Sequence, residues 1–304
     1  MGTMLGTAAL AVVLCSAPSS AATIRSAATS ALPTRTAPLV LNAQNWAGYA
    51  AESNFFNPQN DSVTAVSGSW IVPAATPSAN PAANANGQLS DCVQWVGIDG
   101  VTSDTVEQVG TESYMYNGVA GYDAWFEMYP AGLTPVISVS PGDSITASVQ
   151  YGLPSSSFPN QFQLSLTDNT SGANFTLYEP DTSPALRTSA EWIVEAPSDY
   201  QGILPLPTFG SAAFSNAQAT IGSTTGAINN PAWQLAQVNM SDPAWNDAMT
   251  PSDITTVGSG PSASSSFTVT QAPEPSTLVI LASAVAVVGL RASARQRRIP
   301  VAND

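Results

Sequence analysis

The sequence predicts an all-β protein, an antiparallel β-sandwich in one domain, and three observations carry that expectation. Apolar and polar residues alternate in short runs: DSITASVQY (Ile145, Ala147, Val149, Tyr151), QFQLSLTD (Phe162, Leu164, Leu166) and NFTLYEP (Phe175, Leu177). A period of two is the signature of a strand with one buried face. Turn chemistry separates the runs, with SPGD at 140–143 and TDNTSGAN at 167–174, where Gly, Asn and Asp accept turn conformations. No amphipathic helix longer than two turns stands out. Many short strands with such turns form one sandwich rather than two domains.

The elements follow in order along the 304 residues. The apolar stretch from Leu5 to Ala22 runs into SAPSSAAT and reads as a signal peptide, 1–22. It is atypical, because the usual basic flank is missing and Arg25 is the first charge. Residues 23–41 read as a short pro or linker segment, and 42–257 as the sandwich domain. Inside the domain, 74–90 is rich in Ala, Pro and Asn and reads as a long surface loop. Residues 258–272 read as a flexible linker, with Phe267 and Val269 marking a last short strand inside it.

The C-terminal segment 273–298 has three parts in order: Pro273-Glu274-Pro275, an apolar run from Leu278 to Leu290, and an Arg cluster at Arg291, Arg295, Arg297 and Arg298. A short tail, 299–304, follows. The run is brief for a span of ~20 residues, although flanking arginines can snorkel. This order resembles the PEP-CTERM sorting signal of bacteria with an outer membrane. The resemblance implies transient membrane insertion as a transmembrane helix through Leu278–Leu290, and action by an exosortase-like membrane transpeptidase. It also implies an exported protein, at the outer surface or secreted.

Charge excludes many functions. From Thr36 to Ala272 there is one basic residue, Arg187, against nineteen Asp and Glu, a net of −18, and the whole chain has no His and no Lys. No Ser-His-Asp or Cys-His arrangement can be built, no His can ligate zinc, and no lysine can form a Schiff base. So acidic a domain repels phosphates, which argues against a nucleic-acid partner. Self-repulsion eases as carboxylates protonate, so the composition suits either solubility or work in acid. Cys92, alone once the signal is removed, reads as a small apolar strand residue.

Two strands mix acids with apolar bulk. In YDAWFEMYP, Tyr122, Ala124, Phe126 and Met128 make a core face, while Asp123, Trp125, Glu127 and Tyr129 make the other. Large aromatics beside carboxylates suit a cleft that holds a polymer. In SAEWIVEAP, Glu191, Ile193 and Glu195 share one face and Trp192 and Val194 the other. From the residues alone, Glu191 is either catalytic or an outward acid on an edge strand. Glu195 reads as the exposed strand end, since Ala196-Pro197 marks the exit. Trp95 and Asp99 lie near another strand end, and Gln108 offers an amide whose donors do not titrate.

Five stretches, NWAGYA (45–50), WVGIDG (95–100), VEQVGTESY (106–114), YDAWFEMYP (122–130) and SAEWIVEAP (189–197), follow one another as in the glutamic peptidases, or eqolisins, which this chain resembles over about residues 45–214. The resemblance implies a concanavalin-like sandwich of two packed, roughly seven-stranded sheets, and proteolysis in acid without a cofactor or metal. It places the catalytic pair on Gln108 and Glu191. It places Trp46, Trp95, Asp99, Glu112, Trp125, Glu127 and Tyr129 at positions that line or brace the cleft. The expected partners are polypeptide substrates, met by a monomer. Three departures stand out: little sequence for a propeptide, one residue fewer between Asp99 and Gln108, and Glu112 where an Asp is expected. Two other readings fit paired carboxylates beside aromatics: a β-sandwich glycoside hydrolase, which has no necessary use for Gln108, and a non-catalytic peptide- or glycan-binding surface protein.

Overall fold

A computed structural model describes residues 38–152, 160–181 and 184–272. The expected signal peptide, most of the pro segment, the sorting signal with its apolar run, and the tail lie outside the described residues.

Strands dominate, as the alternating pattern requires. They are β1 (Leu39–Ala43), β2 (Trp46–Glu52), β3 (Val63–Ile71), β4 (Leu89–Ile98), β5 (Val106–Tyr116), β6 (Val119–Tyr129) and β7 (Thr134–Ser138). Then come β8 (Ser144–Tyr151), β9 (Gln161–Asp168), β10 (Asn174–Pro180), β11 (Ser189–Glu195), β12 (Ser198–Asp199) and β13 (Gly202–Ile203). The last are β14 (Ser211–Ile221), β15 (Thr224–Ala227), β16 (Gln234–Asp242), β17 (Asp247–Pro251), β18 (Thr255–Val257) and β19 (Ser264–Gln271). Among the described residues no helix is long and apolar enough to cross a membrane.

Two layers face each other. The front layer runs β7-β6-β5-β4-β11-β2-β16-β1, antiparallel except where β1 joins β16 in parallel. The back layer runs β10-β9-β8-β3-β14-β19. They are not separate sheets, however. β17 pairs with β16 in front and β19 behind, so the strands form one curled, continuous sheet.

The main core lies between the layers, filled from the front by Tyr49, Val96, Val109, Trp192 and Val194 and from the back by Trp70, Ile145, Phe162, Leu164 and Phe214. Indole N–H groups tie the layers together. Trp192 Nε1 donates to the Ser67 carbonyl at 2.7 Å, and Trp70 Nε1 donates to Thr111 Oγ1 at 2.9 Å. A buried indole needs such a partner; losing the ring would cost about 3–5 kcal/mol. Cys92 is buried in this core as a free thiol.

The N-terminal domain edge differs from the sequence expectation, and at the C-terminal edge the expected last strand is present and takes up most of the segment read as linker. β1 begins inside the segment read as pro or linker, and Leu41 is buried on β16. The segment read as a linker holds an eight-residue strand, β19, paired with β14 and burying Phe267 and Val269. The alternation that places Phe267 and Val269 on one side, with Ser265, is that of a half-buried strand.

Candidate active site

A second apolar cluster covers the outer face of the front layer, where Trp46, Val93, Trp95, Trp125, Ile193 and Val238 are buried. Residues opposite one another in a ladder share a face, so the register arranges this surface in rows. One row runs Glu127, Gln108, Gly97, Glu191, Ala50 across β6, β5, β4, β11 and β2. The next runs Trp125, Gly110, Trp95, Ile193, Gly48. The third runs Asp123, Glu112, Val93, Glu195, Trp46.

Gln108 and Glu191 therefore flank Gly97 from either side, two strand spacings apart, roughly 9–10 Å between backbones. A Cβ on Gly97 would lie 2.9 Å from Trp95 Cζ3 and 3.1 Å from Gln108 Cβ. Glycine keeps the space between the two side chains open. Gly110 plays the same part in the next row, where a Cβ would meet Trp95 and Trp125 below 3 Å.

Glu191 is wholly buried, and neither oxygen has a hydrogen-bond partner. Burial pushes its pKa well above the ordinary range; charges on Asp99, Glu52 and Glu107 add to this, and the nearby Ser189 hydroxyl opposes it. Gln108 donates through Nε2 to Glu127 Oε2 at 2.6 Å, which anchors the amide and leaves its second N–H. Burial, then the charge on Glu195, raises Glu127 to about 8, against the pull of Gln108 and the Leu133 N–H.

Glu195 is not the exposed strand end its sequence context implies. β11 is flanked on both sides, by β2 and β4, and Glu195 is 6% exposed. Its carboxyl accepts from Asn45 Nδ2 at 3.0 Å and from Trp95 Nε1 at 2.9 Å. Burial raises it to about 7, and the Trp95 indole acts against that rise. For the same reason Glu191 is no outward acid on an edge strand.

The other expected residues divide by role. Trp46, Trp95 and Trp125 pave the face, with Trp46 and Trp95 edge to face at 4.9 Å. Tyr129 packs at its rim with Phe55, Val101 and Leu133. Glu112 lies beside Asp91, and burial raises both, Asp91 to about 7; two carboxyls so close hold a proton between them more readily than two charges. Asp99 braces rather than lines. It sits beyond β4 at φ 73° and accepts from the backbone N–H of Arg187 at 2.6 Å and of Thr188 at 2.8 Å. That ties the β4–β5 loop to the start of β11.

Sequence reasoning passed over Asn45, Glu52, Asp91 and Glu107, all buried here. Glu52 had a signal: in WAGYAAE it falls in step with Trp46, Gly48 and Ala50 on the cleft face. Arg187, the single cation of the described residues, does not reach this face. It pairs with Asp61 and lies over the Tyr151 ring, 3.8 Å from its centroid.

The outer face of the sandwich thus carries a buried carboxyl and an anchored amide on either side of one glycine. Residues 44–259 match the model of the Peptidase A4 family, and the chain belongs to that family. It is 31% identical over 197 residues to aspergillopepsin-2 of Aspergillus niger, which covers 60% of this chain and 66% of that one. It is 35% identical over 126 residues to scytalidopepsin B of Scytalidium lignicola, 40% of this chain and 44% of the other. The matches thus span just under two thirds and under half of these relatives. The fold is shared with scytalido-glutamic peptidase solved with a peptide-based transition state analog, at a TM-score of 0.52 and 23% identity over 75% of this chain and 98% of that one. It is shared equally with SCP-B, an eqolisin solved with the tripeptide Ala-Ile-His, at a TM-score of 0.50 and 22% identity over the same shares. The glycoside hydrolase reading finds no relative among these.

Proposed function

We propose that this protein is an exported glutamic-type acid endopeptidase in which Glu191 and Gln108 act on one peptide carbonyl. The observation that carries this reading is their shared row across Gly97. A water hydrogen-bonded to the bare Glu191 oxygens replaces part of its missing solvation and favours the carboxylate. Glu191 then takes a proton as the water oxygen attacks the carbonyl carbon. The carbonyl electron pair moves to oxygen, and the free Gln108 N–H donates to that oxyanion. When the C–N bond breaks, Glu191 returns the proton to the departing nitrogen, leaving a carboxylic acid and an amine. Glu52 and Glu107, raised to about 7 and about 9, stay neutral in acid and add no charge that would oppose Glu191 ionising. That supports an acid working range.

The apolar rim of Phe55, Val101, Tyr129 and Leu133 supports a polypeptide substrate with bulky apolar side chains near the cleaved bond. Export and C-terminal sorting rest on residues 1–22 and 273–298; mass spectrometry of the exported protein reads both processed ends.

The test is cleavage of a denatured protein, beside a β-glucan control, at about pH 3–4, near the carboxyl pKa. Glu191→Gln should abolish peptide cleavage, and Gln108→Ala should reduce it about 10²–10³-fold. Sugar release, or full activity in Glu191→Gln, would overturn the reading.

A further inference from the structure

Beside Glu191 lies a chain of hydrogen bonds whose hydrogens can be counted. Glu52 Oε1 and Thr102 Oγ1 are 2.5 Å apart, Thr102 Oγ1 and Thr188 Oγ1 are 2.9 Å apart, and Thr188 Oγ1 and Asp99 Oδ1 are 3.1 Å apart. Three links need three hydrogens, and each hydroxyl supplies one. The third must come from a carboxyl at one end. Asp99 already accepts two backbone N–H groups, which favours its anion. Glu52 is wholly buried, and its Oε2 has no partner. The proton belongs on Glu52.

We propose that Glu52 is a positioning residue for the Glu191–Gln108 pair: as a neutral acid it donates to Thr102, Thr102 to Thr188, and Thr188 to the Asp99 carboxylate. This rests on the catalytic reading above. The chain clasps the three elements that carry the site. Glu52 ends β2 and lies opposite Ser189, diagonal to Glu191 on the same face, roughly 7 Å between Cβ atoms. Thr102 sits in the loop that leads into β5 and Gln108, and Thr188 precedes β11. The charged or titratable groups that face Glu52 are acidic: Glu191 on β11 and Asp99 beyond β4. On β16 it meets neutral Gln234.

Burial raises Glu52 to about 7, and the Asp99 charge adds to the rise. Above that pH Glu52 loses its proton, one link has no hydrogen, and a second anion stands beside Glu191. The clasp therefore sets the upper edge of the acid range.

Three full-length variants test this through kcat, KM and the thermal midpoint, each measured across pH. In Glu52→Gln the amide N–H donates to Thr102 at every pH, so the upper limb of both profiles should move up by at least about one unit. Glu52→Leu removes the donor at similar volume and should lower kcat roughly tenfold at acid pH, with little change in KM. Thr102→Val breaks the same link and serves if Glu52→Leu does not fold. Glu52→Gln with the wild-type upper limb, or Glu52→Leu and Thr102→Val with wild-type kcat, would overturn the proposal. If no peptide is cleaved by the wild type, the catalytic reading fails, while the thermal profiles of wild type and Glu52→Gln still decide the clasp.

Discussion

Gln108 and Glu191 lie directly opposite the same residue, Gly97, on the two strands that flank it. Distant in the chain, they are neighbours across one missing side chain. That relationship makes Gly97 a determinant of the site, although it carries no chemistry of its own.

Gly97→Ala should therefore cost activity more than it costs the fold. The added methyl would press on Trp95 and Gln108 at 2.9 and 3.1 Å, a strain of about 1–3 kcal/mol. We expect kcat to fall at least about tenfold, with a modest drop in the thermal midpoint. An unchanged kcat would show that the space over Gly97 is not where reaction occurs.

Glu195 should matter to stability through the donors it satisfies. Glu195→Leu leaves Asn45 Nδ2 and Trp95 Nε1 without their acceptor, at about 1–3 kcal/mol for each buried group. Glu195→Gln keeps one acceptor oxygen and should lose about half as much. Urea unfolding near pH 4 measures both; equal losses would sink the assignment.

Stability should also fall as pH rises. Burial raises Glu52, Asp91 and Glu195 to about 7, Glu127 to about 8 and Glu107 to about 9. Each folded-state value lies above that of the unfolded chain, so the folded state binds more protons between them. The stabilisation is whole below about pH 4 and drains as pH climbs through 7 to 9. The thermal midpoint should decline across that window, and a midpoint that rises with pH would contradict it.

The alternating runs in β8, β9 and β10, and the unequal faces of β6 and β11, were legible in the sequence because period two is a property of a single strand. Face assignment followed from it: Trp125, Glu127, Glu191 and Glu195 do share one surface. Tertiary structure decided what covers that surface. Ala196-Pro197 truly ends β11, yet Glu195 is buried because β2 and β4 bring Asn45 and Trp95 against it. Glu52 is buried by a loop fifty residues away. The joining of the layers through β17 was equally invisible, since it needs one short strand to pair on both sides. Local pattern says which way a side chain points; only the pairing of strands far apart in the chain says what it meets, because register and burial are properties of neighbours.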